Sequence, residues 1–342
     1  MKKIILSALL LASAVTFAQD DKGFSFSGSI DTYAKANLNA DQNQTPTTSF
    51  ADQPGFALGM INLVASYEGE KVGFVADMVY GKRGADAVFN STGTSSIVNQ
   101  LYVYWNLTDK LTATMGNFNT FLGYEVISPA VNFNYSTSYM FSYGPFSHTG
   151  LKLDYAVNED FSVMLAIMNA TDNTDYNITG NYTLGAQLGY KGQFLNIIYG
   201  DQTMDTSTDT QFQIDYTGGF DLSESFYLGI NTTYNTTAIE GGDDLGYLGA
   251  ALYAQLATSE SFSIGLRPEY FSTFGSFGAI NEDTNGDGNI FALTLSANYK
   301  VAEGLTLIPE VRMDSASEPT YMSGAELNDG LASVLLAAVY SF

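Results

Sequence analysis

One histidine, His148, and no cysteine stand in this chain of 342 residues, so nucleophilic and metal chemistry have few parts to work with. In an extended segment the same-face neighbours of His148 are Phe146 and Gly150, neither of them a nucleophile or an acid. His148 is therefore expected to be a structural hydrogen-bonding residue, and no enzymatic activity is expected. Carboxylates are plentiful, but Asp154, Glu269 and Glu310 each have a base two positions away, Lys152, Arg267 and Arg312, on the same face of an extended strand. That spacing suits mutual neutralisation and a transverse field, not two carboxyls held at different protonation states. A further set could hold a cation. Asp283, Asn285 and Asp287 alternate around Gly286 within 281–289, as the oxygen ligands of a calcium loop do, although Thr294 stands where the bidentate Glu belongs. A structural Ca²⁺ there is one expectation and a plain Asx-rich turn the other; no other cofactor is expected.

The elements that carry these charges read as strands. Period-two alternation runs from Phe24 to the last residue in sixteen segments, near 24–38, 56–69, 71–82, 97–107, 111–120, 148–157, 160–171, 181–191, 193–202, 209–217, 225–236, 246–257, 261–273, 289–300, 304–314 and 329–342. Each matches the ~9–11 residues of a tilted strand crossing a bilayer. Phe262, Ile264, Leu266, Pro268 and Tyr270 oppose Ser263, Arg267 and Glu269; Leu305, Leu307, Pro309, Val311 and Met313 oppose Thr306, Glu310, Arg312 and Asp314. A basic residue facing lipid at mid-depth costs ~2–4 kcal/mol, so the charged face is expected to line the lumen of a barrel. Tight turns such as Lys191-Gly192-Gln193 alternate with long polar segments near 39–55, 83–96, 121–147, 172–180, 203–208, 237–245, 274–288 and 315–328, which is the pattern of short periplasmic turns and longer external loops. Both chain ends fall on the short-turn side, which requires an even strand number.

Composition agrees. Only 14% of residues are charged, against ~25% in soluble domains, and Lys2-Lys3, an apolar run from Ile4 to about Val15 and Thr16-Phe17-Ala18 form an export signal. The expected organisation is a signal peptide over 1–18 and one outer-membrane barrel over 19–342. Lys2 and Lys3 leave with the leader, which takes the formal charge from −23 to −25 and argues against nucleic acid as a partner. Expected partners are outer-membrane lipid and lipopolysaccharide, the acidic loops sharing divalent ions with anionic headgroups or simply staying solvated. Aromatics such as Tyr67, Tyr155, Tyr190, Tyr199, Tyr299 and Tyr340 sit near strand ends, as headgroup girdles require.

A barrel of ~16–18 strands encloses an aqueous channel unless something plugs it, and only Gln19 to about Gly23 precedes the first strand. The longest loop, 121–147, holds Glu125, Asn132, Asn134, Tyr135, Tyr139 and Tyr143, and general porins of this size fold the loop at this position inward as a constriction. The stretch from Asn99-Gln100-Leu101-Tyr102-Val103 through Gly116-Asn117-Phe118, Gly123-Tyr124-Glu125, Asn132 and Asn134-Tyr135-Ser136 to His148-Thr149-Gly150 resembles the OmpL-like β-barrel porins common in the Bacteroidetes. Gly28-Ser29-Ile30-Asp31-Thr32-Tyr33 looks like the same family's first strand, while Asn117 stands where that pattern calls for a basic residue. The resemblance implies porin function. The expected activity is passive diffusion of small hydrophilic solutes or ions with a cation preference, lined by Asp31, Lys35, Asp77, Glu125, Lys152, Asp154, Asp215, Arg267, Glu269, Glu310 and Arg312. The alternative is an adhesion protein that displays its external loops, and a homo-oligomer stays open in either case.

Overall fold

A computed structural model describes residues 23–202 and 209–342. The leader expected over 1–18 and the loop segment 203–208 lie outside the described residues. Sixteen strands close into one antiparallel barrel: β1 (Phe24–Asn37), β2 (Gly55–Glu68), β3 (Val72–Tyr80), β4 (Val98–Thr108), β5 (Leu111–Asn119), β6 (Ser147–Ala156), β7 (Phe161–Met168), β8 (Thr183–Tyr190), β9 (Gln193–Asp201), β10 (Thr210–Asp221), β11 (Phe226–Ala238), β12 (Leu245–Ala257), β13 (Phe262–Phe274), β14 (Gly288–Ala302), β15 (Leu305–Ala316) and β18 (Gly330–Ser341). A small hairpin of β16 (Tyr321–Ser323) and β17 (Glu326–Asn328) rides in the last long loop, and two short helices, α1 (Lys82–Ala87) and α2 (Tyr139–Tyr143), lie in other loops. Strands adjacent in sequence pair in space, and β1 closes on β18 with Ser29 opposite Ser341. Closure leaves no unpaired sheet edge, which a strand in lipid could not satisfy.

Seven connections of two to four residues alternate with eight of six to twenty-seven, as the sequence predicts. Local conformation explains two of the tight places. Lys191 and Gly192 both take positive φ (51° and 80°), the two-residue geometry whose twist suits a hairpin. Gly116, paired with Tyr102 at φ 136°, has no room for a side chain: a Cβ there would lie 2.2 Å from the Leu101 carbonyl oxygen.

The two faces are inverted relative to a soluble protein. Phe56 is 96% exposed and Leu58, Leu101, Val103, Trp105 and Met115 also point outward, while Arg267 is 0% exposed inside. Apolar side chains on the outer face and charges on the inner one match a lipid solvent outside and a polar lumen inside. Tyr67, Tyr155, Tyr190, Tyr199, Tyr299 and Tyr340 are exposed on the outer surface at strand ends.

Candidate functional site

The segment from Thr120 to Phe146 leaves β5 and reaches the far wall, because β13 lies eight places from β5 in either direction around the ring of sixteen. Its path is fixed residue by residue. The Gly123 N–H donates to Asp215 Oδ1 at 2.9 Å on β10, and the Tyr124 ring stacks on Tyr253 of β12 with centroids 3.9 Å apart. Glu125 forms an ion pair with Arg267 of β13 and accepts the Ser138 N–H at 2.8 Å. Asn134 donates to Ser296 Oγ on β14 at 2.7 Å, and Glu310 of β15 accepts the N–H groups of Tyr135 (2.9 Å) and Ser136 (3.2 Å). Tyr135 and Tyr139 donate their hydroxyls to Asp31 on β1 (2.5 Å) and Asp314 on β15 (3.0 Å). The two oxygens of Glu269 accept the Tyr139 and Met140 N–H groups at 3.0 and 2.9 Å, at the start of α2, where Ser138 Oγ also caps the Phe141 N–H.

Carbonyl groups are held from the opposite side of the charge balance. Arg83 of α1 donates to the Ile127 and Tyr135 oxygens (2.8 and 3.1 Å), Arg267 to Ser136 (2.7 Å) and Arg312 to Thr137 (2.8 Å). A loop taken out of water must find partners for its backbone, and here wall carboxylates take its N–H groups while guanidinium groups take its C=O groups. Such charge-assisted bonds are about twice as strong as neutral ones. As the chain leaves the lumen, Asp172 Oδ1 accepts the Phe146 and Ser147 N–H groups at 2.7 and 2.8 Å.

The charges expected in the lumen are therefore inside, but their pairing differs in part from the two-residue rule. Lys152 pairs with Asp154 at 2.9 Å, both side chains partly exposed, and Arg312 pairs with Asp314 at 2.8 Å. Arg267 instead reaches across to Glu125, because the Glu269 oxygens are taken by backbone N–H groups, and Glu310 is likewise taken by the loop and by Ser296. Asp77 is held by the amides of Asn62, Asn99 (2.7 Å) and Gln100 (3.0 Å). Lys35 lines a cavity of about 10 Å³ with Thr48, Ser136, Glu310, Arg312 and Ser333, and a second of about 10 Å³ lies across the loop against Gln213, Asp215, Asn231 and Thr233. Each has room for about one water.

Sequence reasoning missed Arg83 and Asp172. Arg83 lies in a helix of six residues, stacks 4.4 Å over the Phe50 ring and carries no periodic signal; Asp172 sits among the Asx-rich residues of an external loop. His148 is buried, its Nε2 2.9 Å from Thr120 Oγ1 and its ring against Phe121. In the outer loop, Asp283 Oδ1 accepts the N–H groups of Asn285 (2.8 Å) and Asp287 (3.1 Å), and Oδ2 accepts the Asn285 amide at 3.0 Å. These bonds hold the Asp283 carboxyl below the usual range, led by the Asp287 N–H; among the described residues no three His, Cys, Asp or Glu side chains converge as a metal would need.

Ionisation in the loops follows burial. Burial, and then Asp31 and Asp314 respectively, push the Tyr135 and Tyr139 hydroxyls above their ordinary range, so both remain donors. Burial pushes Asp172 up to about 7 against the opposing pull of its two N–H donors.

The family described as Putative beta-barrel porin-2, OmpL-like, matches residues 23–342. No curated protein matches. Among solved structures, an anion-selective porin from Comamonas acidovorans is 12% identical with a TM-score of 0.63, covering 94% of this chain and 100% of its own. The outer membrane channel DcaP of Acinetobacter baumannii is 12% identical with a TM-score of 0.60 over 93% and 97%. OmpT of Vibrio cholerae is 13% identical with a TM-score of 0.58 over 95% and 99%. The structures share the fold and the family match covers every described residue, so this chain belongs to the OmpL-like β-barrel porin family and is a multi-pass protein of the bacterial outer membrane.

Proposed function

We propose that the barrel passes small hydrophilic solutes or ions by passive diffusion, that it prefers cations, and that the 121–147 loop sets its constriction. The observation that carries the reading is the anchoring of that loop to β10, β13, β14, β15 and β1 across the whole lumen. Cavities with room for about one water lie on two flanks of the loop, and movement of the loop would widen the path for larger solutes. Asp31, Lys35, Asp77, Glu125, Asp215, Arg267, Glu269, Glu310 and Arg312 line the waist, and Lys152 and Asp154 line the periplasmic half.

Cation preference is supported by the buried charges. Among the described residues seven buried acids (Asp31, Asp77, Glu125, Asp215, Glu269, Glu310 and Asp314) meet four buried bases (Lys35, Arg83, Arg267 and Arg312), a formal excess of acids. A lone His148 engaged with Thr120 supports a non-enzymatic role. Outside, the apolar belt takes outer-membrane lipid, and lipopolysaccharide meets the external loops. Planar-bilayer recording of purified, folded protein tests the proposal: discrete conductance with a reversal potential favouring potassium is expected. Electrically silent folded protein, or a reversal potential favouring chloride, would refute it.

A further inference from the structure

Glycine weakens a strand interior, since it loses the most freedom on folding and has no side chain to pack, and on a buried face it marks the close approach of another group. Among the described residues, four buried glycines of the lumenal wall have their side-chain space filled by the 121–147 loop: Gly185 on β8, Gly229 on β11, Gly249 on β12 and Gly265 on β13. None takes a positive φ, so the backbone would accept a Cβ at each and it is space that forbids one.

Gly229 shows how the space is used. It lies directly across from Tyr253 in the β11–β12 register, and the Tyr124 ring enters the gap, stacked on Tyr253 with centroids 3.9 Å apart and with its hydroxyl 3.4 Å from that of Tyr227. Cross-strand neighbours hold their Cβ atoms ~4.5–5.5 Å apart, so a side chain at 229 would take the room the Tyr124 ring needs beside Tyr253. A Cβ there would lie 2.6 Å from Tyr124 Cε2, and its three nearest atoms all belong to Tyr124. At Gly265 it would lie 2.6 Å from Phe133 Cδ1, at Gly185 2.8 Å from Phe121 Cζ and at Gly249 2.5 Å from Met140 Cγ. Met140 is flexible enough to bend away from a methyl group. Tyr124 is held by Tyr253 and Tyr227, and Phe133 by its carbonyl, which accepts the Asn298 amide at 2.9 Å, and by the bond from Asn134 to Ser296. Arg267, Glu269, Glu310 and Arg312 grip the loop's backbone from β13 and β15, whereas the glycines run from β8 to β13 and admit its side chains.

We infer that Gly185, Gly229, Gly249 and Gly265 are positioning residues of the constriction: they seat the loop flush against the wall, and the closeness of that fit sets the size of solute that passes. The seating stands on these contacts alone; the size-setting role rests on the diffusion reading above. Overpacking one seat with a methyl group shifts the ratio of docked to released loop by roughly tenfold.

Purified, folded Gly229→Ala and Gly265→Ala barrels should be cut within 121–147 about tenfold faster than wild type in limited proteolysis, and in proteoliposome swelling with uncharged sugars of graded length they should admit longer ones. Gly249→Ala, met by the flexible Met140, should change less. Gly189→Ala is the control, because the nearest atoms to a Cβ there belong to Ser162 and Phe194 of the wall; cleavage and size limit should stay at wild-type values. In a Tyr124→Ala barrel the ring is gone, and adding Gly229→Ala should loosen the loop no further. Unboiled gel mobility confirms that each variant is a closed barrel, and Gly265→Ala carries the test if Gly229→Ala does not fold. Wild-type protease resistance in both alanine variants, equal loosening in Gly189→Ala, or a Gly229→Ala effect that adds in full to Tyr124→Ala, overturns the seating. A loosened loop with an unaltered size limit overturns the size-setting role. A barrel whose loop loosens as expected but which admits no sugar or ion in any form supports the seats and refutes the diffusion reading instead.

Discussion

Arg267→Met should loosen the loop across the lumen while leaving the barrel closed. Arg267 is fully buried; its guanidinium pairs with Glu125 and donates to the Ser136 carbonyl at 2.7 Å and to Thr294 Oγ1 at 3.1 Å. Methionine fills much of the volume but leaves Glu125 as a buried charge without its base, which costs ~3–5 kcal/mol. The orphaned Ser136 carbonyl adds about 1–3 kcal/mol, reduced wherever water enters. Because the barrel's own pairing is untouched, the loss falls on the equilibrium between docked and released loop. At ~3 kcal/mol that equilibrium shifts by roughly a hundredfold. Single-channel recording should show larger and noisier openings, and limited proteolysis should cut within 121–147 of otherwise folded barrels. Glu125→Gln alone should loosen the loop too, since it strands the guanidinium. The double variant Arg267→Met/Glu125→Gln should recover part of the loss, because neither charge then remains unpaired. Conductance and protease resistance indistinguishable from wild type in Arg267→Met, or a double variant as loose as the sum of its parts, would refute the view that wall charges hold the loop.

Asp172 gives a pH dependence with a definite sign. Its carboxyl is raised to about 7 in the folded protein against 3.8 unfolded, so the folded state keeps a proton the unfolded state has lost between those values. The loop junction at Phe146 and Ser147 is then most stable in acid and weakens as pH rises from about 4 through 7. Hydrogen exchange at those two amides should quicken over that window beyond the intrinsic base dependence, and Asp172→Asn, whose Oδ1 can still accept both N–H groups, should flatten the excess. Gly116→Ala should block assembly, because its Cβ would sit 2.2 Å from the Leu101 oxygen and 2.6 Å from Tyr102 Cα. The cost exceeds the ~0.5–3 kcal/mol of ordinary substitutions, so unboiled gels should show no compact barrel band. Stripping divalent ions with EDTA should leave the melting temperature of the detergent-solubilised barrel unchanged, since the Asp283 carboxylate is already satisfied by Asn285 and Asp287; a fall of several degrees would show that a metal holds the outer loops.

The strands were legible because lipid and lumen impose opposite solvents on alternate residues, and that period survives in a single sequence. The first strand, expected over 24–38, ends at Asn37, and the last, expected over 329–342, spans Gly330–Ser341. The seventh, expected over 160–171, stops at Met168, because Asn169, Ala170 and Thr171 lead into the turn from which Asp172 reaches back to the loop. Charges at the waist were legible by parity, since Arg267 and Glu269 had to share a face. Their partners were not. Which carboxylate meets which guanidinium depends on the path of twenty-seven residues with no repeat, and Arg83, from the loop after β3, joins them without any sign in its own neighbourhood.

The manner of that anchoring bears on where selectivity resides. Most of the wall's charged groups grip the loop's backbone, Glu310 at Tyr135 and Ser136, Glu269 at Tyr139 and Met140, Arg267 at Ser136 and Arg312 at Thr137. A peptide group is the same whatever side chain it carries, so the loop's course is written more by the barrel than by the loop. The loop brings one acid of its own, Glu125, and Arg267 neutralises it. Charges spent on holding the loop are poorly placed to act on a passing ion, because their fields are already closed by N–H and C=O dipoles or by an ion pair. Among the described residues, the buried carboxylate that neither touches the loop nor pairs with a base is Asp77 on β3, held by the amides of Asn62, Asn99 and Gln100, whereas Asp215 on β10 also accepts the loop's Gly123 N–H. On the diffusion reading, neutralising Glu269 or Glu310 should therefore alter the size of what passes, and neutralising Asp77 should alter the preferred sign without releasing the loop.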